Sequence, residues 1–313
     1  MVDKINIYDL IIIGAGPAGV SAAIYAARQR LEMLIISKDL GGQVAKKAVD
    51  IENYPGFSKI SGPDLVNLYD KQLKANNLKI EHDEVIGIEK DGSKFLIKTK
   101  SGEVYESISV IVTSGAESKK LSVPGEEEFA GKGVSYCSLC DGPLFSNKII
   151  AVVGGGNNGF ESALFLSNYV KKIYILEYSL QVKADRENQD LVLKHKNIEI
   201  ITNAKVLKID GENFVNSITY EDLTKNKEVT LKVDGVFVEI GYVPSIYFVK
   251  DLVDLDEKDE IIFDPKTLST KTPGLFSAGD CNVSRYKQIV MASGQGAIAA
   301  LSAYEYIKKN KHE

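Results

Sequence analysis

Residues 8–29 read YDLIIIGAGPAGVSAAIYAARQ: an apolar run, a glycine turn, then a stretch with helical periodicity. The isoleucine-rich run is short and suits a buried strand. Gly14, Gly16 and Gly19 follow in G-x-G-x-x-G spacing. In that spacing the first glycine permits a tight turn and the second lets a pyrophosphate approach the backbone. The third lets helix and strand pack closely. Unpaired N–H groups at the helix start would then face the phosphates. The spacing alone is a weak signal, but a strand before it and a helix after it point to a dinucleotide fold.

The plan recurs 140 residues further on, in KIIAVVGGGNNGFESALFLSNY (148–169), with Gly154, Gly156 and Gly159 in the three glycine places. Two copies suit a protein that holds two nucleotides, a nicotinamide and a flavin, for hydride transfer between them. The alternative is that one copy has lost its ligand. Near the C-terminus, TPGLFSAGDCN (272–282) reads as a strand ending at Gly279 and Asp280. An acid there can hold a ribityl hydroxyl while backbone amides approach phosphate. The helix YKQIVMASGQGAIAALSAYEYIKK (286–309) carries small residues along one face. That face fits either a flat ligand or another helix.

Glycine and proline punctuate two connectors, 113–127 and 239–246, on either side of the second unit. The expected fold is therefore α/β, with two three-layer Rossmann-like dinucleotide-binding domains, the second inserted into the first. The expected boundaries are 1–116, 117–244 and 245–313.

Inside the insertion lies YCSLCDGPLF (136–145), and the chain of 313 residues has just one further cysteine, Cys281. So few cysteines argue against a secreted, disulfide-stapled fold. A zinc site would need two more ligands, and Cys281, His82, His195 and His312 are scattered, so no metal is expected. Redox chemistry is the reading left for Cys137 and Cys140, because thiol–disulfide exchange needs a stabilised thiolate and the C-x-x-C spacing supplies one. Asp141 directly behind the pair suits a proton shuttle, or else a helix-capping acid. Cys281 reads as a small buried hydrophobe.

A net charge of −5 marks no nucleic-acid binder. No apolar run approaches the roughly 20 residues of a membrane span, and the first residues lack the features of a signal peptide. The expected location is the cytoplasm, with neither nucleic acid nor membrane as partner.

The ordered motifs GAGPAG, GGQ (41–43), ENYPGF (52–57), TSGA (113–116), YCSLCDG (136–142), GGGNNG, GYVP (241–244), AGD (278–280) and YKQI (286–289) cover almost the whole chain. With them the sequence resembles the low-molecular-weight thioredoxin reductases and the flavoprotein core of alkyl hydroperoxide reductase. That resemblance implies FAD in the first domain, a reduced nicotinamide in the inserted one, and a homodimer. It implies FAD contacts at Gly14, Gly16, Gly19, Gln43, Asn53, Gly279, Asp280, Gln288 and Ile289. Cys140 would face the flavin, Cys137 would attack the partner's disulfide, and Asp141 would be the acid/base.

The sequence departs from that pattern at two places. NADPH-using members carry a His-Arg-Arg cluster after the second strand of the inserted domain; here the strand ends at Glu177, 23 residues after Gly154. A carboxylate there binds a ribose hydroxyl and repels a 2′-phosphate, so NADH is expected over NADPH. The equivalent position in the first unit is Ser37, with no acid for the FAD ribose. With so few residues before the first strand, the built-in thioredoxin-like pair of the hydroperoxide-reductase flavoproteins is not expected here. The expected acceptor is a separate thioredoxin or glutaredoxin-like protein. A ferredoxin-type donor and a non-catalytic redox sensor are the competing readings.

Overall fold

The computed structural model describes residues 7–47 and 50–311; His312 lies outside them. The chain divides into two compact units, one formed by residues 1–117 with 243–313 and one by residues 118–242.

The first unit is built on strand β1 (Ile7–Ala15), which pairs in parallel with β2 (Met33–Leu40) and β3 (Val104–Val112). The hairpin of strands 85–91 and 94–99 extends the sheet antiparallel beyond β3. Alternation along β1 makes the sheet two-faced. Leu10 and Ile12 join one apolar cluster with helix α1 (Pro17–Arg28) and the long C-terminal helix, while Ile11 and Ile13 join a second cluster on the other face. All four are fully or almost fully buried. The result is a sheet covered on both faces.

The second unit repeats the idea with other residues. Strands β5 (Ile149–Val153), β6 (Lys172–Leu176) and β7 (Gly235–Val238) form the centre of a five-stranded parallel sheet. Ile150 and Val152 pack on helix α3 (Asn157–Leu166) through Phe160, Ala163 and Leu166. Ala151 and Val153 face the other way, into a cluster with Ile209, Val215 and Ile218 of a three-stranded antiparallel sheet. Between β3 and β5 come strand β4 (Ala116–Ser118) and the short helix α2 (Ser138–Asp141); after β7 come β8 (Tyr242–Pro244), β9 (Leu275–Ser277) and α4 (Ile289–Asn310). The chain crosses between units along β4 and β8, which pair as a two-stranded ribbon. The second unit is thus an insertion into the first, and both are α/β. The small-residue face of α4 has a packing role: a Cβ on Gly296 would overlap the Ala18 carbonyl oxygen of α1.

Candidate functional site

In the first unit, β1 runs straight into the glycine turn. Gly14 has φ +107°, a left-handed conformation that glycine adopts without penalty. A Cβ on Gly19 would overlap the Gly14 carbonyl oxygen, so α1 starts hard against the turn. Thr113 at the end of β3 fixes that turn by donating to the carbonyls of Ile13 and Gly14, at 2.9 and 2.8 Å. Ser37, in the place of the ribose acid, accepts the Ala15 N–H at 3.1 Å and so holds the loop itself.

Gly16 differs from its neighbours. A Cβ there would meet nothing within 4 Å, so packing does not require the glycine, and the space above it is open. An open cradle at a helix start fits a pyrophosphate. Ser114, which follows Thr113 and whose backbone nitrogen adjoins the Gly14 turn, has a buried hydroxyl with no partner among the described residues, which is a further polar atom fitted to a bound group.

The other first-unit residues gather in part. Asn53 donates to Gln288 at 3.1 Å, joining two of them directly. Gln288 stands at the N-cap of α4 and Ile289 is its first residue. Gln43 donates to the Ala116 carbonyl. The Gly279 N–H is committed to the side-chain oxygen of Gln295, at 2.7 Å. Gln295 also accepts from Asn282 and donates to Ser284, and sequence reasoning missed it. Asp280 is half-buried. Burial pushes its carboxyl up to about 6, with Lys287 opposing and Glu260 adding to the rise. Cys281 is fully buried among apolar side chains.

In the second unit, Gly154 has φ +128° and Gly159 meets the Gly154 carbonyl as Gly19 meets Gly14. Gly156, like Gly16, faces open space. Glu177 at the end of β6 lies over this loop. Its two oxygens accept the N–H groups of Gly155 at 2.6 Å and Ser179 at 2.8 Å. Asp185 joins the loop as well, accepting from the Asn157 side chain at 2.8 Å and donating its own N–H back at 2.7 Å. Two carboxylates and no His-Arg-Arg cluster therefore border the second glycine turn.

The same unit carries the cysteines. Cys137 and Cys140 form a disulfide across a Cα–Cα distance of 5.3 Å. Cys137 is the N-cap of α2, its sulfur accepting the Cys140 N–H at 3.2 Å. Within this unit Cys140 is exposed and Cys137 half-buried. Asp141 ends the same turn and accepts the Ser135 hydroxyl at 2.6 Å; it makes no capping bond to the turn that follows.

Beneath α2 lies a group absent from the sequence reading. Glu239, just past the end of β7, is buried and accepts the Ser162 hydroxyl at 2.8 Å. Ser162, on α3, is 2.8 Å from the hydroxyl of Ser138, which lies between the two cysteines. The connector 239–246 thus begins inside the packed unit. Among the described residues no His, Cys, Asp and Glu cluster could hold a metal ion, and no helix is long and apolar enough to cross a membrane.

Comparison with known proteins agrees with this arrangement. The model of the pyridine nucleotide-disulphide oxidoreductase family matches residues 8–296. The F subunit of alkyl hydroperoxide reductase from Staphylococcus aureus (strain MRSA252) is 41% identical over 308 residues, which are 97% of this chain and 60% of that protein. The chain thus spans about 60% of the length of the curated relatives it matches. The crystal structure of thioredoxin reductase from Streptococcus pyogenes MGAS5005 superimposes with a TM-score of 0.91 at 36% identity, covering 98% of this chain and 100% of that one. A ferredoxin-flavin thioredoxin reductase from Clostridium acetobutylicum matches at 33% identity and a TM-score of 0.55, covering 98% of this chain and 100% of that one.

Proposed function

The chain belongs to the pyridine nucleotide-disulphide oxidoreductase family, and on that premise we propose that it is an FAD-dependent disulfide reductase. It draws electrons from NADH and delivers them through Cys137 and Cys140 to a thioredoxin or glutaredoxin-like protein. The observation that carries this reading is the disulfide with Asp141 behind it, in the same unit as an open glycine cradle bordered by Glu177.

FAD, when bound, supplies a two-electron carrier between nicotinamide and disulfide. Gly14, Gly16 and Gly19 would cradle its pyrophosphate, with Gln43, Asn53, Gly279, Asp280, Gln288 and Ile289 around the rest. Gly154, Gly156 and Gly159 would cradle the nicotinamide dinucleotide, and Glu177 would meet its adenosine ribose. Once reduced, Cys137 attacks the partner's disulfide as a thiolate, giving a mixed disulfide and releasing one partner sulfur. Cys140 then attacks Cys137, restoring the intramolecular bond and releasing the partner's second sulfur. Asp141 holds the proton exchanged at the thiol. The protein acts as a homodimer.

Support for NADH comes from the carboxylates at the second glycine turn. A 2′-phosphate would meet like charge, while a ribose hydroxyl would find an acceptor. A second reading replaces nicotinamide with a ferredoxin-type donor, and the similarity to the clostridial ferredoxin-flavin enzyme favours it. Anaerobic titration of the flavoprotein with NADH and NADPH in parallel decides between them. Rapid bleaching of the flavin band by NADH is expected. Failure of both nucleotides to bleach it would overturn the nicotinamide reading in favour of the second.

A further inference from the structure

The second unit buries two acids, Glu126 and Glu239. Glu126 accepts from the Leu121 and Ser122 amides and the Tyr136 hydroxyl, whereas Glu239 is linked to the cysteine loop and the proposed relay gives it no task. It is 8% exposed, and Ser162 and Ser138, its links to the cysteine loop, are each 7% exposed. The order along the chain of contacts is Glu239, Ser162, Ser138, each step 2.8 Å. The Ser138 amide also lies close enough to the Glu239 carboxyl to favour its ionised form. Ser138 is the first residue of α2, directly after Cys137 and two before Cys140. A movement or charge change in the C-S-L-C turn is therefore felt at Glu239 through two hydroxyls and one amide.

We infer that Glu239 is a positioning residue for the dithiol, holding the turn through Ser162 and Ser138 and taking up a proton when the Cys137–Cys140 disulfide is reduced. This rests on the reading that the pair cycles between disulfide and dithiol.

The charges explain the coupling. A disulfide is neutral, so Glu239 can remain ionised beneath it. Reduction places a thiolate in the same turn, on half-buried Cys137 or exposed Cys140, and the buried Glu239 carboxylate, poorly screened by solvent, is repelled by it. Protonating Glu239 relieves that repulsion. The step balances: the disulfide, ionised Glu239, two electrons and two protons give one thiol, one thiolate and a protonated Glu239. The S–S bond breaks, and the electron pair comes from the two-electron donor of the proposed relay.

Glu239 is poised for this exchange near neutrality. Burial pushes its carboxyl up to about 7, while hydrogen bonds from Ser162 and Ser138 pull it back. Competing charges around it are few. Strands β5 and β7 carry no titratable side chain, α3 carries just the exposed Glu161, and α2 carries Asp141 and the cysteines.

The test measures the dithiol–disulfide equilibrium of the full-length, FAD-loaded protein. The protein is held against dithiothreitol and its cyclic disulfide from pH 6 to pH 9, and free thiols are counted after alkylation. It needs neither nicotinamide nor an acceptor protein. If binding a proton at Glu239 and reducing the pair favour each other, the coupling is reciprocal. The ratio of the wild-type constant to that of Glu239→Gln should then fall with rising pH by about tenfold, the effect of a one-unit pKa coupling. Asp141→Asn should keep this fall. Ser162→Ala, which removes a donor to the carboxylate, should move it to higher pH, and it serves alone if the glutamine variant does not fold. A pair that cycles with a pH-independent ratio, and with no displacement in Ser162→Ala, overturns the inference. A pair that resists dithiothreitol at every pH overturns the cycling reading and the inference with it.

Discussion

The Glu177 carboxylate accepts the Gly155 amide at 2.6 Å, and a Cβ on Gly155 would stand 2.6 Å from the same oxygen. The middle glycine of the G-G-G run thus admits the acid at the end of β6 to the dinucleotide turn. The acid and the glycine form one device, although they lie 22 residues apart.

That device sets the first prediction, on nucleotide choice. A charge-assisted bond from Glu177 to ribose is worth about 1.5–3 kcal/mol. NADH should therefore be favoured over NADPH by at least about tenfold in kcat/KM, roughly 1.4 kcal/mol. Replacing residues 177–179 with His-Arg-Arg should reverse the preference, because arginine forks match phosphate oxygens. Equal kcat/KM for the two nucleotides in the wild type would refute the carboxylate argument.

The two sulfurs should be distinguishable by colour. Cys137→Ser should stop reduction of protein disulfides and leave Cys140 to give a long-wavelength charge-transfer band with oxidised flavin. Cys140→Ser should stop it too, without the band. Absorbance spectra of both variants check this, and a band in Cys140→Ser alone would exchange the two roles.

For Asp141 the measurement is dithiol turnover beside flavin reduction. Asp141→Asn should slow turnover by about 10²–10⁴-fold while leaving flavin reduction by nucleotide unchanged. Its partner Ser135 donates at 2.6 Å, so Ser135→Ala should produce a smaller loss of the same kind. A variant with lower thermal stability and wild-type turnover would leave Asp141 a purely structural part.

Glu239 also makes stability depend on pH. Its folded value, about 7, lies above the ordinary 4.5, so the folded protein binds the extra proton between those values. Stability from this group is fully present below about pH 4.5 and is lost as pH rises through 7. Glu239→Gln removes the burial cost of the charge and should melt higher than wild type at pH 8, the gain bounded by on the order of 3 kcal/mol. The gap in thermal midpoint should close by pH 5. A gap that widens toward low pH would reverse the sign.

Much of this architecture is legible in the sequence because its signals are local. Gly14, Gly16 and Gly19 sit between a strand and a helix, and so do Gly154, Gly156 and Gly159, so each fingerprint carries its own context. Cys137, Cys140 and Glu177 are likewise found by spacing alone. Glu239 is not, because an acid after the apolar run GVFV looks like the start of a solvent-exposed connector. Its burial depends on Ser162 and Ser138, 77 and 101 positions away along the chain, and no periodicity links residues so far apart. Gln295 was hidden for the same reason: on a helix rich in small residues it reads as a polar surface position, yet it binds the Gly279 amide. Asp141 does stand at the N-cap position of the turn Gly142–Phe145, but its side chain makes no capping bond there and accepts the Ser135 hydroxyl.

The paired crossings β4 and β8 place the beginning and end of residues 118–242 side by side. Hydrogen-bonded strands run about 4.8 Å apart, so the host unit needs to open just one small gap to accept the whole segment. A stretch with neighbouring ends can be cut out and a different one spliced in without stretching the recipient. In genetic terms residues 118–242 are a cassette, and nucleotide preference and dithiol chemistry would travel together with it.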